Sequence, residues 1–327
     1  MIISFYGTDL ILKNIVRNWV SLLAVNTYNS MGCFTLELQN APHNAELIKL
    51  WNYCTIDNDN DNVYVITSSN IANGKIVLTG FPATYIFSKR ASTTVIRNKK
   101  AEVAMKSLVD NMSPWDNVVT EEIKGITDTF KNQMSDKQIL EYLQGIGQAT
   151  DVGFRLVKEG QKLVFKTYKP TINNSVKYST SLKNVANLDY FISENDYYNY
   201  AIVAGAEHGE KRVTVTTSMG DTSGIDRREL YVDARNEQPE EGETLEDYKA
   251  RLERVGLQKL AERLKVETLY FFVEQNDNVK LGDIINVALE EYGVSLQVRV
   301  VEEQLINQNN TTEKTIGVGT PMKVRRI

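Results

Sequence analysis

The chain of 327 residues contains two histidines, His43 and His208. Imidazole is the usual proton carrier near neutral pH and the commonest metal ligand. Two histidines exclude a histidine-rich metal site by arithmetic, and a Ser-His-Asp triad has to recruit one of them. His43 follows Pro42 in a loop-like stretch, and His208 sits in the turn-like run Ala206-Glu207-His208-Gly209-Glu210. Neither is accompanied by a strand-to-helix nucleophile elbow. Gly145-Ile146-Gly147 ends a helical pattern instead of opening one, so its amides do not converge on an anion. Gly317-Val318-Gly319 has no helix after it, and both runs are read as turn or strand glycines.

Carboxylates offer more material. Asp57-Asn58-Asp59-Asn60-Asp61-Asn62 spaces acids at alternate positions, as a calcium loop begins. The position that needs glycine for a sharp turn is Asn62, and the position that needs a bidentate Glu is Ser68. The run is therefore read as a polar turn tip. Glu240-Glu241-Gly242-Glu243 is read as a solvated loop whose acids suit the positive end of the helix that follows. Cys33 and Cys54 leave one disulfide conceivable but are too few for a disulfide scaffold, and Cys33 is read as a small core residue. No catalytic residue, metal or cofactor is expected.

Bulk properties bound the rest. Lys and Arg number 37 against 42 Asp and Glu, a net charge of −5. Phosphate neutralisation needs the opposite balance, so specific nucleic-acid binding is not expected. Lys99-Lys100 and Arg325-Arg326 are short and read as solvated surface. The start, Met1-Ile2-Ile3-Ser4-Phe5-Tyr6, lacks the basic region and apolar run of a signal peptide. No stretch approaches the roughly 18 apolar residues of a membrane helix. Synthesis in the cytoplasm, without export by the general route and without a membrane partner, is the expectation.

Three regions with different periodicity must position whatever the chain presents. The first ninety residues read as β. Ser21–Asn26, Cys33–Leu38, Asn62–Thr67 and Lys75–Thr79 are strands, with Gly80-Phe81-Pro82 as a break and Thr84–Phe87 as a further strand. In the second of these, Phe34, Leu36 and Leu38 share one face. The middle reads as α+β. Lys99–Met112 is a helix with a Val103, Met105, Leu108, Val109, Met112 stripe, stopped by Pro114. Ser135-Asp136-Lys137-Gln138 has the form of a capping box, opening a helix that carries Ile139, Leu140, Leu143 and Ile146 and frays at Gly145 and Gly147. Val152–Val157 and Lys162–Phe165 read as a hairpin around Glu159-Gly160. The last third returns to β, with strands at Tyr200–Gly205 and Arg212–Thr217. A helix over Thr244–Lys265 is followed by an antiparallel set at Thr268–Val273, Asp283–Leu289, Val294–Val300 and Thr315–Val318. Its apolar stripe is Leu245, Tyr248, Leu252, Val255, Leu260 and Leu264, a packing face. Lys280-Leu281-Gly282-Asp283 is a turn feeding the second of these strands.

The order of these patterns resembles the hub proteins of phage tails and related injection systems, both the siphophage tail-associated hub and the trimeric hub of contractile tails. The resemblance is carried by Trp19–Leu23, Tyr28, Gly32–Leu38, Gly80 and Ile86–Arg90. In the last third it runs through Asn184–Leu188, Asn199–Gly205, Glu229–Arg235, Gly256, Leu260-Ala261, Leu281–Ile285 and Gly317–Gly319. It spans nearly the whole chain and rests on order and spacing, since each piece alone is only a strand or turn pattern. It implies an α+β, mainly β fold with two tail-tube-like β-barrels. The first would cover 1–95 and the α/β insert 96–175. The second would cover 176–327 with the helix at 244–265, or part of 176–235 would complete the first barrel. Gly32, Phe34, Gly80, Arg90, Gly205, Gly282 and Asp283 are its turn or interface candidates. The implied role is structural and not enzymatic. Three copies would form a pseudo-sixfold ring at the virion tail tip or baseplate, joining the tail tube or distal tail protein to a spike or fibre protein, beside the tape measure protein, and passing DNA. A receptor- or carbohydrate-binding tail module is the alternative, with Tyr190, Tyr197, Tyr198 and Tyr200 as its nearest aromatic cluster, and a tail-associated peptidoglycan hydrolase is a third reading.

Overall fold

The structure is a computed structural model that describes residues 1–39, 47–112, 117–206, 209, 212–273, 279–308 and 311–319. Its elements begin with seven strands: β1 (Ile3–Tyr6), β2 (Leu12–Val16), β3 (Ser21–Thr27), β4 (Cys33–Gln39), β5 (Tyr53–Ile56), β6 (Val63–Ala72) and β7 (Lys75–Pro82). A mixed region follows: β8 (Ala91–Ser92), β9 (Ile96–Lys100), α1 (Ala101–Asp110), β10 (Val118–Thr120), β11 (Thr129–Met134), β12 (Lys137–Gln138), α2 (Ile139–Thr150), β13 (Gly153–Glu159) and β14 (Lys162–Tyr168). The remainder is β15 (Ile172–Ser179), β16 (Ala186–Ser193), β17 (Tyr200–Ala204), β18 (Thr214–Ser218), β19 (Glu229–Asp233), α3 (Leu245–Ala261), β20 (Val266–Val273), β21 (Ile284–Leu289), β22 (Val294–Gln308) and β23 (Thr311–Gly319). Contacts divide the chain into two units, Met1–Asp189 with Tyr270–Ile327, and Tyr190–Leu269.

The first unit is organised by a sheet whose strands run in the order β2-β1-β5-β6-β7-β4-β3-β22-β23-β20-β16, with β21 against β22 and β15 against β21. The long strand β22 is the joint. Its first residues, from Val294 to Arg299, pair with β21; from Glu302 to Gln308 the same edge pairs with β3, as in Ile306 opposite Leu23; β23 runs antiparallel along the other edge. One strand thus serves two sheet halves. The mainly β, α+β composition is as expected. The two expected barrels are not seen: among the described residues no barrel closes, because the strand path ends openly at β2 and β16 and β22 continues from one half into the other.

Alternation works where one face is buried. In β4, Phe34, Leu36 and Leu38 are fully buried while Cys33, Thr35 and Glu37 are half-exposed. Cys33 is therefore not the core cysteine; that place belongs to Cys54, and both thiols are free. β7 does not break at Gly80. It continues to Pro82, because a Cβ on Gly80 would lie 2.1 Å from the Val65 carbonyl oxygen, where β6 bulges between Ile66 and Ser68. Gly80→Ala is expected to cost about 3 kcal/mol, at the upper end of overpacking costs, in urea unfolding. Gly74→Ala is the control. Gly74 has open space around it and only a left-handed φ of +74° to oppose a side chain, so its cost is about 1–2 kcal/mol.

The expected strand at Thr84–Phe87 is a 3₁₀ helix, Ala83–Lys89. Adjacent Ile86 and Phe87 are both fully buried, which a helical turn achieves and a pleated strand facing one core does not. The capping box also fails. Lys137 and Gln138 pair with Ser92 and Ala91 as β12 against β8, and the Ile139 amide donates to the Arg90 carbonyl at 2.8 Å, so no side chain caps α2. That helix continues through both glycines to Thr150 and stops at Asp151, which is left-handed at φ 56°. Gly147 lies inside because a Cβ there would be 2.7 Å from the Asn29 side chain. Pro114, expected to stop α1, lies outside the described residues; the helix ends at Asp110, with Asn111 as its C-cap.

The second unit packs α3 on one face of the three-stranded sheet β18-β17-β19. Thr244 caps α3, its hydroxyl accepting from the Asp247 amide at 3.2 Å. Tyr248, Leu252, Gly256 and Leu260 face the sheet, whereas Leu245 and Leu264 are exposed and fall off the expected stripe. Gly256 allows close approach: a Cβ would meet Thr217 and Val203 methyls at 2.6 and 2.7 Å.

Candidate assembly surfaces

Helix α1 buries charge. Ala101, Ala104, Met105, Leu108 and Val109 line the core, but Glu102 and Lys106 are buried with them, while Val103 of the expected stripe is 37% exposed. Glu102 and Lys106 are one helical turn apart, with Lys106 Nζ 2.7 Å from Glu102 Oε1. The carboxylate also accepts from the backbone amides of Lys124, Gly125 and Ile126 at 2.6, 2.9 and 2.9 Å, and from the Thr167 hydroxyl at 3.3 Å. Burial alone would raise its pKa; the Lys106 ammonium and those amides overcome that and hold it at about 2. Lys106 Nζ donates in addition to the Glu122 carbonyl at 2.6 Å. The result is a pinned segment, 121–126, laid over α1. Between them an open recess of about 350 Å³ is lined by Val103 and Ile123 together with Lys106, Asp110, Glu121 and Glu122.

A second ion pair, buried at its arginine end, ties distant segments. Arg299 on β22, 4% exposed, donates to the Asp151 carboxylate at 3.0 Å and to the Gly282 carbonyl at 2.7 Å. Asp151 ends α2, and it also accepts from the Tyr28 hydroxyl at 3.0 Å. The Arg299 guanidinium stands 5.1 Å over the Tyr28 ring. Burial, then the Asp151 charge, pushes the Tyr28 phenol well above its ordinary range. These groups lock the α/β region to the strand shared by both sheet halves.

The residues singled out from sequence are distributed along this framework and do not meet at one site. Gly32 and Gly80 are points of close strand approach; a Cβ on Gly32 would lie 1.9 Å from the Val25 carbonyl oxygen. Phe34 is fully buried and stacks on Tyr64 at 5.0 Å. The Arg90 carbonyl receives the α2 amide as described. Gly205, in the second unit, lies under Tyr248, whose hydroxyl would be 2.3 Å from an added Cβ. Gly282, at φ +94°, makes the turn against Tyr28, and Asp283 closes it by accepting from the Lys280 amide at 3.0 Å. The functional-looking charges, Glu102, Lys106, Asp151 and Arg299, were missed. The i, i+4 pairing of Glu102 with Lys106 amid apolar neighbours was a readable signal for the first two; nothing local marked the others.

Among the described residues no three or more His, Cys, Asp or Glu side chains are grouped to hold a metal. His43 and His208 lie outside the described residues. The Asp57–Asn62 run is a turn with Asp57 and Asn58 left-handed. Asp57 accepts from the Ile2 amide, Asp59 from the Asp61 amide and the Asn62 side chain, and Asp61 pairs with Arg155. What the surface offers instead is edges. β2 pairs only with β1 among the described residues, and its Leu12 and Ile15 are 48% and 39% exposed. The strand is short and also carries Lys13 and Asn14 beside these apolar residues.

The profile of the Siphovirus ReqiPepy6 Gp37-like protein family matches residues 3–320. No curated protein matches the sequence. Solved structures share the fold. The prophage MuSo2 43 kDa tail protein from Shewanella oneidensis superposes with a TM-score of 0.66 at 13% identity, over 98% of this chain and 99% of that one. A tail protein from Neisseria meningitidis MC58 gives 0.64 at 13% identity, over 98% and 96%. Prophage tail protein gp18 from Listeria monocytogenes EGD-e gives 0.59 at 12% identity, over 98% and 95%.

Proposed function

Because the chain belongs to the Siphovirus ReqiPepy6 Gp37-like protein family and has the fold of phage tail proteins, we propose that it is the structural hub at the distal end of a phage or phage-like tail. The observation that carries this reading is the match of the fold over 98% of this chain and 99% of the Shewanella oneidensis tail protein. In this role three copies form a pseudo-sixfold ring, each copy contributing the two sheet halves that β22 joins, one in place of each expected barrel. The ring meets the tail tube or distal tail protein on one side and a spike or fibre protein on the other, lies beside the tape measure protein, and passes DNA. The edge at β2, open among the described residues, suits a component whose surfaces are completed by neighbours. The role is mechanical and not enzymatic. Sedimentation of the purified chain, alone and with its neighbouring tail proteins, is expected to show trimers; a chain that remains monomeric in both settings overturns the ring.

A further inference from the structure

Lys99-Lys100, read from sequence as solvated surface, gains company in the fold. β9 and β11 form a two-stranded antiparallel ribbon of their own in the first unit. Ile96 stands opposite Met134, Arg97 opposite Gln133, Lys99 opposite Phe130 and Lys100 opposite Thr129. Ile96 and Phe130 are buried and Met134 is half-buried, which fixes the ribbon's inner side. The rest is exposed: Arg97, Asn98, Lys99 and Lys100 on β9, and Thr129, Lys131, Asn132 and Gln133 on β11. These are cations, amides and a hydroxyl, all able to donate hydrogen bonds, with no carboxylate among them. Among the described residues Arg97, Lys99, Lys100 and Lys131 have no ion-pair partner, whereas Arg155 pairs with Asp61 and Lys169 with Asp128. Asp128, the acid just before β11, is thereby committed elsewhere. Asp136, two residues past the end of β11, pairs with none of the four.

The placement of these charges works against the isolated chain. Lys100 is the N-cap residue of α1 and makes no side-chain cap, so Lys99 and Lys100 crowd the positive end of the helix dipole. The acid of the first turn, Glu102, is buried and held by Lys106 and the 124–126 amides. An external anion relieves the repulsion. We propose that the β9–β11 ribbon binds the phosphate backbone of duplex DNA without reading its sequence. Phosphate oxygens accept hydrogen bonds and carry no donors of their own, which suits a ribbon whose exposed side chains all donate; a protein surface mixes its acids with donors and cations. At about 3.4 Å per residue the ribbon runs about 17–20 Å, over which a duplex presents about ten phosphate charges. The major groove also admits a two-stranded ribbon. With a net charge of −5 on the chain, contact confined to four cations makes a weak, salt-sensitive grip along which DNA can slide. The choice of DNA among polyanions rests on the proposed hub role, in which DNA passes this chain.

The test titrates the full chain into fluorescently labelled DNA duplexes of two unrelated sequences over a range of salt. The logarithm of the affinity is expected to fall against the logarithm of salt with a slope of about −3.6, four contacts at about 0.9 each, and equally for both duplexes. Each of Arg97→Gln, Lys99→Gln, Lys100→Gln and Lys131→Gln should reduce the slope by about one, and all four together should bring binding to background. Lys99→Arg with Lys100→Arg and Lys131→Arg should retain it. Gln at Lys49, Lys162 and Lys183, exposed elsewhere in the first unit, should leave it unchanged. All these side chains face solvent, so the unfolding midpoint should stay put in every variant. No duplex binding at low salt, or a slope that the fourfold Gln variant leaves intact, overturns the inference. So does tighter binding to poly-glutamate than to the duplexes at equal salt, which assigns the ribbon to an acidic protein surface. Ribbon-dependent DNA binding by a chain that is absent from the tail tip overturns the hub role alone. A chain at the tail tip whose fourfold variant still binds DNA overturns the inference alone.

Discussion

Glu102→Ala is expected to destabilise the first unit by about 3–5 kcal/mol, measured by urea unfolding, because it strands a buried cation. Lys106 is 3% exposed and keeps only the Glu122 carbonyl at 2.6 Å and the more distant Glu121, at 3.7 Å. Three amides of segment 124–126 lose their acceptor at the same time. Glu102→Gln should be nearly as damaging, since its NH₂ cannot accept where one carboxylate oxygen now does. Lys106→Met should cost less, because the carboxylate retains its amide and hydroxyl donors. A larger loss for Lys106→Met than for Glu102→Ala would contradict this assignment. The pH dependence follows from the same bonds. The folded pKa of about 2 lies below the ordinary 4.5, so the carboxylate stabilises in full above about pH 4.5 and loses that contribution as pH falls toward 2. Glu102→Ala should flatten the acid limb of the stability profile between those values.

Arg299→Met is the second large effect, about 3 kcal/mol, and its signature is local. The variant leaves the Gly282 carbonyl without its donor and Asp151 with only the Tyr28 hydroxyl. Hydrogen exchange should accelerate first at the Asp283 and Gly282 amides, which close the turn onto Lys280 and β22, and at the end of α2. Arg299→Lys should recover part of the loss, because one ammonium cannot span carboxylate and carbonyl as the guanidinium fork does. Pairing Arg299→Met with Asp151→Leu should cost less than the sum of the single changes, since the second removes the charge the first strands. Strict additivity would mean that the two residues do not act on each other.

The sequence was legible where chemistry is local. β4 shows its faces by alternation, the turn at Lys280–Asp283 by its glycine, and α3 by its charged and apolar stripes. It misled where tertiary packing overrode local preference. Thr84–Phe87 has strand-forming residues, but two adjacent core side chains demand a helical turn. Ser135–Gln138 has a capping pattern, but β8 claims the backbone first. Gly145 and Gly147 look like a helix end, yet they are packing surfaces against Met134 and Asn29. The buried charges divide the same way. Glu102 and Lys106 are four residues apart and within reach of a helix argument, whereas Arg299 and Asp151 are 148 residues apart and meet only once β22 is in place. The joining of the two sheet halves through β22 is the least legible feature, since no residue in that strand announces that it will pair with β3 as well as β21. The placement of the whole chain among tail proteins came from the order of weak patterns, and the family match bears out that part of the reading.

Electron microscopy of the chain reconstituted with its neighbouring tail proteins addresses the hub role most directly. The expected particle has three copies in a ring with near-sixfold appearance, two sheet halves from each copy, set between tube and spike. Particles in which the chain is present as a single copy off the tail axis, or absent from the tail tip, would contradict it.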